Sequence, residues 1–150
     1  MIRTQETPLY SEEATRRLGH RIAAALRPGD LLLLQGDLGA GKTFLARAVI
    51  QSLAGAAIDV PSPTFILAAP YDLPTFTLVH YDLYRLNDPS EVDELGLEDA
   101  LEDGVAIVEW PEILGGDLTG QAIRIRLSDR DGRIAAIEGP ADFMERLDAV

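Results

Sequence analysis

Two short runs of this 150-residue chain are apolar at every position. They cover residues 31–34 and 105–108, and residues that favour turns come just before the first of them. A strand that is apolar on both faces is typical of the centre of a parallel sheet covered by helices. Residues 123–127 and 133–137 alternate instead between apolar and polar side chains, and the polar stretch 128–132 between them predicts a hairpin.

Apolar residues at helical spacing predict the helices of the chain. Ser11 is suited to begin the first helix as an N-cap, and Gly55 is suited to end the second. The predicted helices cover residues 12–26, the stretch from Thr43 to Gly55, residues 90–102 with an interruption at Gly96, and residues 141–149. Extended segments are expected at residues 2–7, 65–69 and 76–82, with a hairpin turn at 71–74.

The loop after the first apolar run reads GDLGAGKT at residues 36–43 and matches the phosphate-binding P-loop pattern. Glycines let the backbone direct N–H groups at phosphate oxygens, and the following helix adds its positive dipole end. A glycine-rich turn with an exposed lysine is the alternative, but strand, loop and helix follow in the order a P-loop requires. The expected nucleotide-binding residues are Asp37, Leu38, Gly39, Ala40, Gly41, Lys42, Thr43 and Phe44.

Lys42 is the chain's sole lysine, beside twelve arginines. A compact ammonium on a flexible stem suits contact with β- and γ-phosphates, and the Thr43 hydroxyl suits Mg²⁺. The elements and the loop together predict a single-domain α/β P-loop NTPase over residues 1–150, with a mixed, mainly parallel central sheet flanked by helices. Guanine recognition by Asn-Lys-x-Asp would need a second lysine, so ATP is the expected nucleotide.

Two acidic residues stand where predicted strands end. Glu109 follows the run 105–108, and Asp82 ends the segment 76–82. Acids at the carboxyl ends of parallel strands lie beside a P-loop, where they can hold Mg²⁺ and position water. We expect both to be catalytic, with Glu109 and Thr43 as metal ligands and Asp82 on the metal directly or through water. The alternatives are a capping or surface carboxylate for Glu109 and a structural hydrogen bond for Asp82.

Other candidate site residues carry less specific patterns. Ser62 and Thr64, next to two prolines, suit a loop that senses the γ-phosphate, although an ordinary stiff turn fits equally well. Trp110 follows Glu109, and by its sequence alone indicates a core or interface aromatic. Ser11 and Arg133 are the weakest candidates, for contacts with the nucleotide base. A structural role is expected for His80.

The formal net charge is −12, and it is concentrated in residues 82–117, which hold twelve acids and one arginine. Such a field repels nucleic acid, so strong direct binding of nucleic acid is not expected, and a basic protein is the easier partner. The chain has no cysteine, which excludes disulfides and cysteine-based zinc sites. With no signal peptide and no stretch that could span a membrane, we expect a soluble cytoplasmic protein without membrane contact.

Four motifs in order closely resemble those of the bacterial TsaE (YjeE) family: GDLGAGKT at 36–43, SPTF at 62–65, HYDLYR at 80–85 and EWPE at 109–112. The resemblance spans roughly residues 4–135. It implies an ATPase that is needed for threonylcarbamoyladenosine in tRNA and that binds the TsaD–TsaB complex, which performs the transfer. It also implies that ATP hydrolysis resets that complex, that Lys42 contacts phosphate, and that Glu109 and Trp110 belong to the catalytic end.

Two other functions fit a compact P-loop domain. The first is a small-molecule kinase, although such kinases usually close an arginine-bearing lid and no lid-sized insertion with several arginines is evident. The second is a non-enzymatic assembly module in which the nucleotide only fixes the shape of the protein.

Overall fold

The computed structural model describes residues 2–37, 39–116, 121–129 and 133–150. The strands are β1 (Ile2–Pro8), β2 (Leu31–Gln35), β3 (Ala68–Asp72), β4 (Thr77–Asp82), β5 (Val105–Glu109), β6 (Ile123–Ser128) and β7 (Ile134–Pro140). The helices are α1 (Glu12–Ala25), α2 (Lys42–Ala54), α3 (Ser90–Asp93), α4 (Leu97–Asp103) and α5 (Ala141–Asp148), with a 3-10 turn at Pro111–Ile113.

All seven strands form one sheet in the order β1-β7-β6-β2-β5-β4-β3. The strands β1, β2, β4, β5 and β6 run in one direction, and β3 and β7 run in the other. The predicted mixed, mainly parallel sheet is therefore confirmed. The strands β2 and β5, which contain the two wholly apolar runs, pair at its centre, where helices cover both faces.

Alternate residues of β2 point to opposite faces of the sheet, so the strand contributes to two hydrophobic cores. Leu32 and Leu34 pack with α1, α2 and α5 in the larger core, whereas Leu31 and Leu33 pack with α3 and α4 in the smaller one. Each of these buried leucines stabilises the fold by about 1.5–3 kcal/mol. Among the helices that the structure describes, none is both long and apolar enough to cross a membrane.

The first strand of the β3–β4 hairpin begins later than predicted. Phe65 and Leu67 lie in a turn rather than in a strand, because Leu67 adopts a positive φ of 68° and donates its N–H to the Pro63 carbonyl at 2.7 Å. The hairpin turn shifts accordingly, and the Leu73 N–H donates to the Phe76 carbonyl at 3.1 Å. The apolar run at 65–67 resembled a strand, but its first side chains point into solvent.

Strand register brings the predicted acids together. In the parallel pair of β4 and β5, Asp82 is the direct partner of Glu109, and both residues end their strands. The P-loop follows β2, the next strand along the sheet. The carboxyl ends of three adjacent parallel strands thus surround one location, where open α/β sheets bind ligands. Part of the predicted turn at 128–132 lies outside the described residues.

Candidate nucleotide-binding site

The loop between β2 and α2 has the backbone of a phosphate cradle. Gly39 and Gly41 have φ values of 84° and 100°, a region that side chains rarely adopt. Gly41 is also the N-cap of α2, and it provides no side-chain hydrogen bond to the first free N–H groups of that helix. Those N–H groups and the helix dipole together favour an anion. Leu38, predicted to bind nucleotide, lies outside the described residues.

Lys42 is buried at the centre of this loop. Its Nζ donates to the carbonyl oxygens of Gly36 at 2.5 Å and Asp37 at 3.0 Å, and it lies 3.9 Å from the centroid of the Trp110 ring. Burial lowers the pKa of the Lys42 amine, and nearby carboxylates, Glu109 first among them, act in the opposite direction. The ammonium is thus positioned by carbonyls and an aromatic face instead of by a direct ion pair.

Glu109 connects the P-loop helix to the neighbouring strand. Its Oε1 accepts a hydrogen bond from the Thr43 hydroxyl at 2.8 Å, and its Oε2 lies 2.6 Å from His80 Nε2. Because a carboxylate can only accept, the neutral form of His80 donates through Nε2. Both oxygens of this buried carboxylate are therefore fixed, and one of them points at the hydroxyl that the P-loop pattern assigns to Mg²⁺.

Asp82 is buried and is held through both of its oxygens. The Thr64 hydroxyl donates to Oδ2 at 2.8 Å, and the Tyr84 backbone N–H donates to Oδ1 at 3.0 Å. The Ser62 hydroxyl lies 2.8 Å from that of Thr64, and it is the donor because Thr64 already gives its proton to Asp82. Ser62, Thr64 and Asp82 thus form one hydrogen-bonded chain that joins the predicted switch loop to the end of β4.

The P-loop, the two acids and the switch loop border a cavity of about 360 Å³. Its lining combines P-loop residues, both acids and the switch-loop hydroxyls: Gly39, Gly41, Lys42, Thr43, Ser62, Thr64, Asp82, Tyr84, Glu109 and Trp110. Asp37 and Ala40 line a second cavity of about 330 Å³, which lies between the ends of β2 and β6.

The remaining predicted nucleotide-binding residues lie at the edge of this region or outside it. Arg133 lies beside the loop, since a methyl group added at Gly41 would come within 3.2 Å of its Nη1. The Phe44 ring contacts the Arg16 side chain, whose Cζ lies 5.3 Å from the ring centroid. Ser11 caps α1 by accepting from the Ala14 N–H at 3.1 Å, which is a structural use of its hydroxyl.

The oxygen atoms around the cavity suit a hard divalent cation as metal ligands. The Thr43 hydroxyl and the carboxylates of Glu109 and Asp82 offer oxygen, which is the ligand atom that Mg²⁺ prefers. Among the described residues, no group of three or more histidine or acidic side chains is placed to hold a metal ion by itself, either at this cavity or elsewhere. A magnesium ion here would therefore take its other ligands from phosphates and water, as Mg²⁺ commonly does in nucleotide sites.

Two residues at the site have roles that their sequence patterns did not indicate. His80 was expected to be structural without a partner being assigned, and it holds the second oxygen of Glu109. Its position two residues before Asp82 on β4 places both side chains on one face of the sheet, which was the available indication. Tyr84 lines the cavity and packs on Trp110, with ring centroids 4.8 Å apart; its place in the HYDLYR motif was the available indication, although no role was assigned to it.

Replacing His80 should destabilise the fold far more than replacing the other histidine. His80→Leu leaves one oxygen of a buried carboxylate without its donor, so the free energy of unfolding should fall by about 2 kcal/mol. His20→Leu removes only an exposed contact with Ser52 and should change the free energy of unfolding by less than about 0.5 kcal/mol. Urea unfolding of both variants measures the difference, and equal losses would show that the His80 contact contributes nothing.

The chain is similar to proteins of one family. A sequence model described as "Threonylcarbamoyl adenosine biosynthesis protein TsaE" matches residues 9–135. A "tRNA threonylcarbamoyladenosine biosynthesis protein TsaE" from Rickettsia conorii is 44% identical over 131 residues, covering 86% of this chain and 75% of the relative. The protein of that name from Streptomyces coelicolor is 42% identical over 125 residues, covering 80% and 82%. The crystal structure of Bacillus subtilis YdiB superposes with a TM-score of 0.81 at 26% identity, covering 99% and 97%.

Proposed function

Because the chain belongs to the TsaE family of tRNA threonylcarbamoyladenosine biosynthesis proteins, we propose that it binds ATP with Mg²⁺ at the P-loop and hydrolyses it. We further propose that it acts on the TsaD–TsaB complex and that hydrolysis supports repeated modification of tRNA by that complex. The P-loop NTPase fold and the lining of the cavity suit this activity.

The observation that carries the proposal is the contact between the Thr43 hydroxyl and Glu109 at 2.8 Å, directly beside Lys42. A module that only binds nucleotide needs the loop and the lysine. A hydrolase also needs an acidic group at the metal, because that group orients the ion and the attacking water. Glu109 stands at that position, and Thr43 and His80 fix its orientation.

Each group of residues at the site has a different proposed role. Lys42 and the N–H groups at the start of α2 would hold the phosphates, and Thr43, Glu109 and Asp82 would hold Mg²⁺, which offsets the charge of the phosphates. Ser62 and Thr64 reach Asp82 through hydrogen bonds, so a change at the γ-phosphate can be transmitted to that loop. Trp110 covers Lys42 and limits access of water to its ammonium.

The decisive experiment counts turnovers. Purified TsaD–TsaB from the same organism, its threonylcarbamoyl-adenylate donor and tRNA are mixed with and without this chain and ATP. We expect more than one modified tRNA per TsaD–TsaB complex only when both are present, together with release of inorganic phosphate. If the number of modified tRNAs per TsaD–TsaB complex is the same without this chain, the proposed coupling of ATP hydrolysis to tRNA modification is refuted. In a separate assay with candidate metabolites, transfer of phosphate from ATP to one of them would favour a kinase.

Thr43→Val should make nucleotide binding insensitive to magnesium. The variant keeps the shape of the side chain but loses the hydroxyl that reaches Glu109 and, in our proposal, the metal. We expect ADP affinity in Mg²⁺ to fall by about tenfold, the equivalent of one hydrogen bond to a charged group, and ADP affinity in EDTA to stay within about twofold. Calorimetry with and without EDTA measures both values. Thr43→Ser keeps the hydroxyl and should behave as the unaltered chain; an equal loss in both variants would contradict the role.

A further inference from the structure

A cavity of about 510 Å³ lies between α1 and α2, and we call it the helix cavity. It is larger than the cavity at the P-loop, and of the described residues none lines both. Concave sites of about 300–1,000 Å³ are of the size in which proteins hold small molecules. Because the proposed function makes no use of the helix cavity, it is open to a second ligand while a nucleotide occupies the P-loop.

The two helices that form the helix cavity are in close contact. A methyl group added at Gly19 would lie 2.6 Å from the Ala48 Cβ, so only glycine allows α1 to approach α2 this closely. His20 Nδ1 lies 2.8 Å from the Ser52 hydroxyl and joins the same helices at a second point. Ala48, His20 and Ser52 all line the helix cavity, so contacts between the helices hold its walls in place before any ligand enters.

The helix cavity is basic, although the chain as a whole is acidic. Arg16, Arg17 and Arg21 line it together with His20, and Glu13 is the acidic residue in its lining. The formal net charge of the chain, by contrast, is −12. A concave surface lined by one sign of charge concentrates the electric field inside it. The helix cavity therefore attracts anions that most of the protein surface repels.

The three arginines can turn their donors to a ligand at little cost. Arg16 and Arg17 contact glutamates in the first turn of α1 at 3.4–4.0 Å, and all the side chains of these ion pairs are more than half exposed. Exposed pairs of this kind contribute little to stability, so an anion can replace them. Arg21 donates to the Leu147 carbonyl through Nη2 at 3.4 Å, which uses one of the five N–H donors of its guanidinium.

The arrangement of the arginines indicates the chemical class of the ligand. Arg17 and Arg21 are one turn apart in α1, which places their Cβ atoms about 5–6 Å from each other. A guanidinium binds two oxygens of one phosphate at once, so neighbouring guanidiniums suit phosphates that are linked to each other. A nucleic acid would need a longer basic track, and the acidic remainder of the chain would repel its backbone.

We propose that the helix cavity binds a small anion that carries linked phosphate groups, and that it does so while nucleotide occupies the P-loop. Arg17 and Arg21 bind the phosphates, and Arg16 borders them from its place against the Phe44 ring. Ala48 and the aliphatic stems of the arginines contact the less polar part of the ligand. This inference goes beyond the proposed function and does not depend on ATP hydrolysis.

The test locates binding residue by residue with inorganic pyrophosphate as the probe. Pyrophosphate is titrated into the ¹⁵N-labelled chain that already holds one equivalent of ADP, and the backbone amide signals are followed by NMR. Signals of residues 13–21 and 48–52 report the helix cavity, whereas signals of residues 39–43 report the P-loop. Arg17→Gln/Arg21→Gln alters the cavity, and Arg3→Gln/Arg27→Gln removes the same charge at exposed positions outside its lining.

We expect pyrophosphate to shift the signals of residues 13–21 and 48–52 with saturation. Arg17→Gln/Arg21→Gln should weaken this binding at least about tenfold, the equivalent of one hydrogen bond to a charged group, and the control variant should stay within about twofold. The spectra of the two variants also show directly whether each is folded.

Four results would overturn the proposal. Shifts confined to residues 39–43 would mean that pyrophosphate binds only at the P-loop, and equal weakening in both variants would indicate unspecific attraction by charge. Citrate that binds as tightly as pyrophosphate would show that the cavity selects charge and not phosphate. A short RNA oligonucleotide that shifts the same signals at lower concentration would reassign the cavity to nucleic acid. None of these results would affect the proposed ATPase function.

Discussion

Lys42→Ala should raise the dissociation constant for ADP at least about 100-fold. The ammonium would form hydrogen bonds to charged phosphate oxygens worth about 1.5–3 kcal/mol each, and 3 kcal/mol corresponds to roughly that factor. The chain has no other lysine that could replace it. Isothermal calorimetry at fixed Mg²⁺ measures the change.

The stability of the Lys42→Ala variant without nucleotide is the control for the binding measurement. Burial lowers the pKa of the Lys42 amine, which means that the fold holds the charged form at some cost. Removing the amine should therefore leave the free energy of unfolding without nucleotide within about 1 kcal/mol of the original. A dissociation constant within threefold of the unaltered chain would remove Lys42 from the phosphate site, whatever the stability of the variant.

Glu109→Gln should abolish ATP hydrolysis and keep nucleotide binding. The amide has nearly the same shape and can still accept from Thr43 or His80, so the fold and the phosphate contacts persist. The negative charge at the proposed metal position is lost, and we expect the hydrolysis rate to fall by about 100-fold or more. ADP affinity should change by less than about fivefold. Phosphate release and calorimetry measure the two quantities on the same preparation.

Glu112→Gln is the matched control for that experiment. It makes the same chemical change three residues later, at an exposed position whose charge also acts on Lys42. Hydrolysis by this variant should stay within about twofold, because exposed charges are screened by water and salt. Equal losses in the two glutamine variants would mean that general electrostatics at Lys42, rather than the metal position, explains the effect of Glu109.

The central features of the fold follow from the apolar pattern. The two wholly apolar runs became β2 and β5, and strand, glycine loop and helix appear in the predicted order. The match of the TsaE family to residues 9–135 confirms the resemblance that the four motifs indicated. These features are local, or depend on side chains that only a buried strand tolerates, so a sequence can report them.

Long-range contacts explain what the pattern left open. The pairing of Asp82 with Glu109 depends on strand order and register, which periodicity does not determine. The contact of His80 with Glu109 joins residues 29 positions apart, and no local propensity encodes it. The error at residues 65–67 has another origin: Phe65 and Ile66 are apolar but exposed, and an apolar pattern does not distinguish exposed positions from buried ones.

A single buried lysine also makes this protein unusually simple to follow by chemical labelling. Apart from the amine at the chain terminus, the Lys42 Nζ is the one primary amine available to acylating reagents, since arginine does not react with them at neutral pH. Burial has two opposite effects on this reaction: it restricts access of the reagent to Nζ, and by lowering the pKa of the amine it increases the fraction that is neutral and nucleophilic. A phosphate bound there would both shield the amine and restore its charge. The rate of one modification, read by mass spectrometry on the intact chain, would thus report site occupancy without any engineered probe.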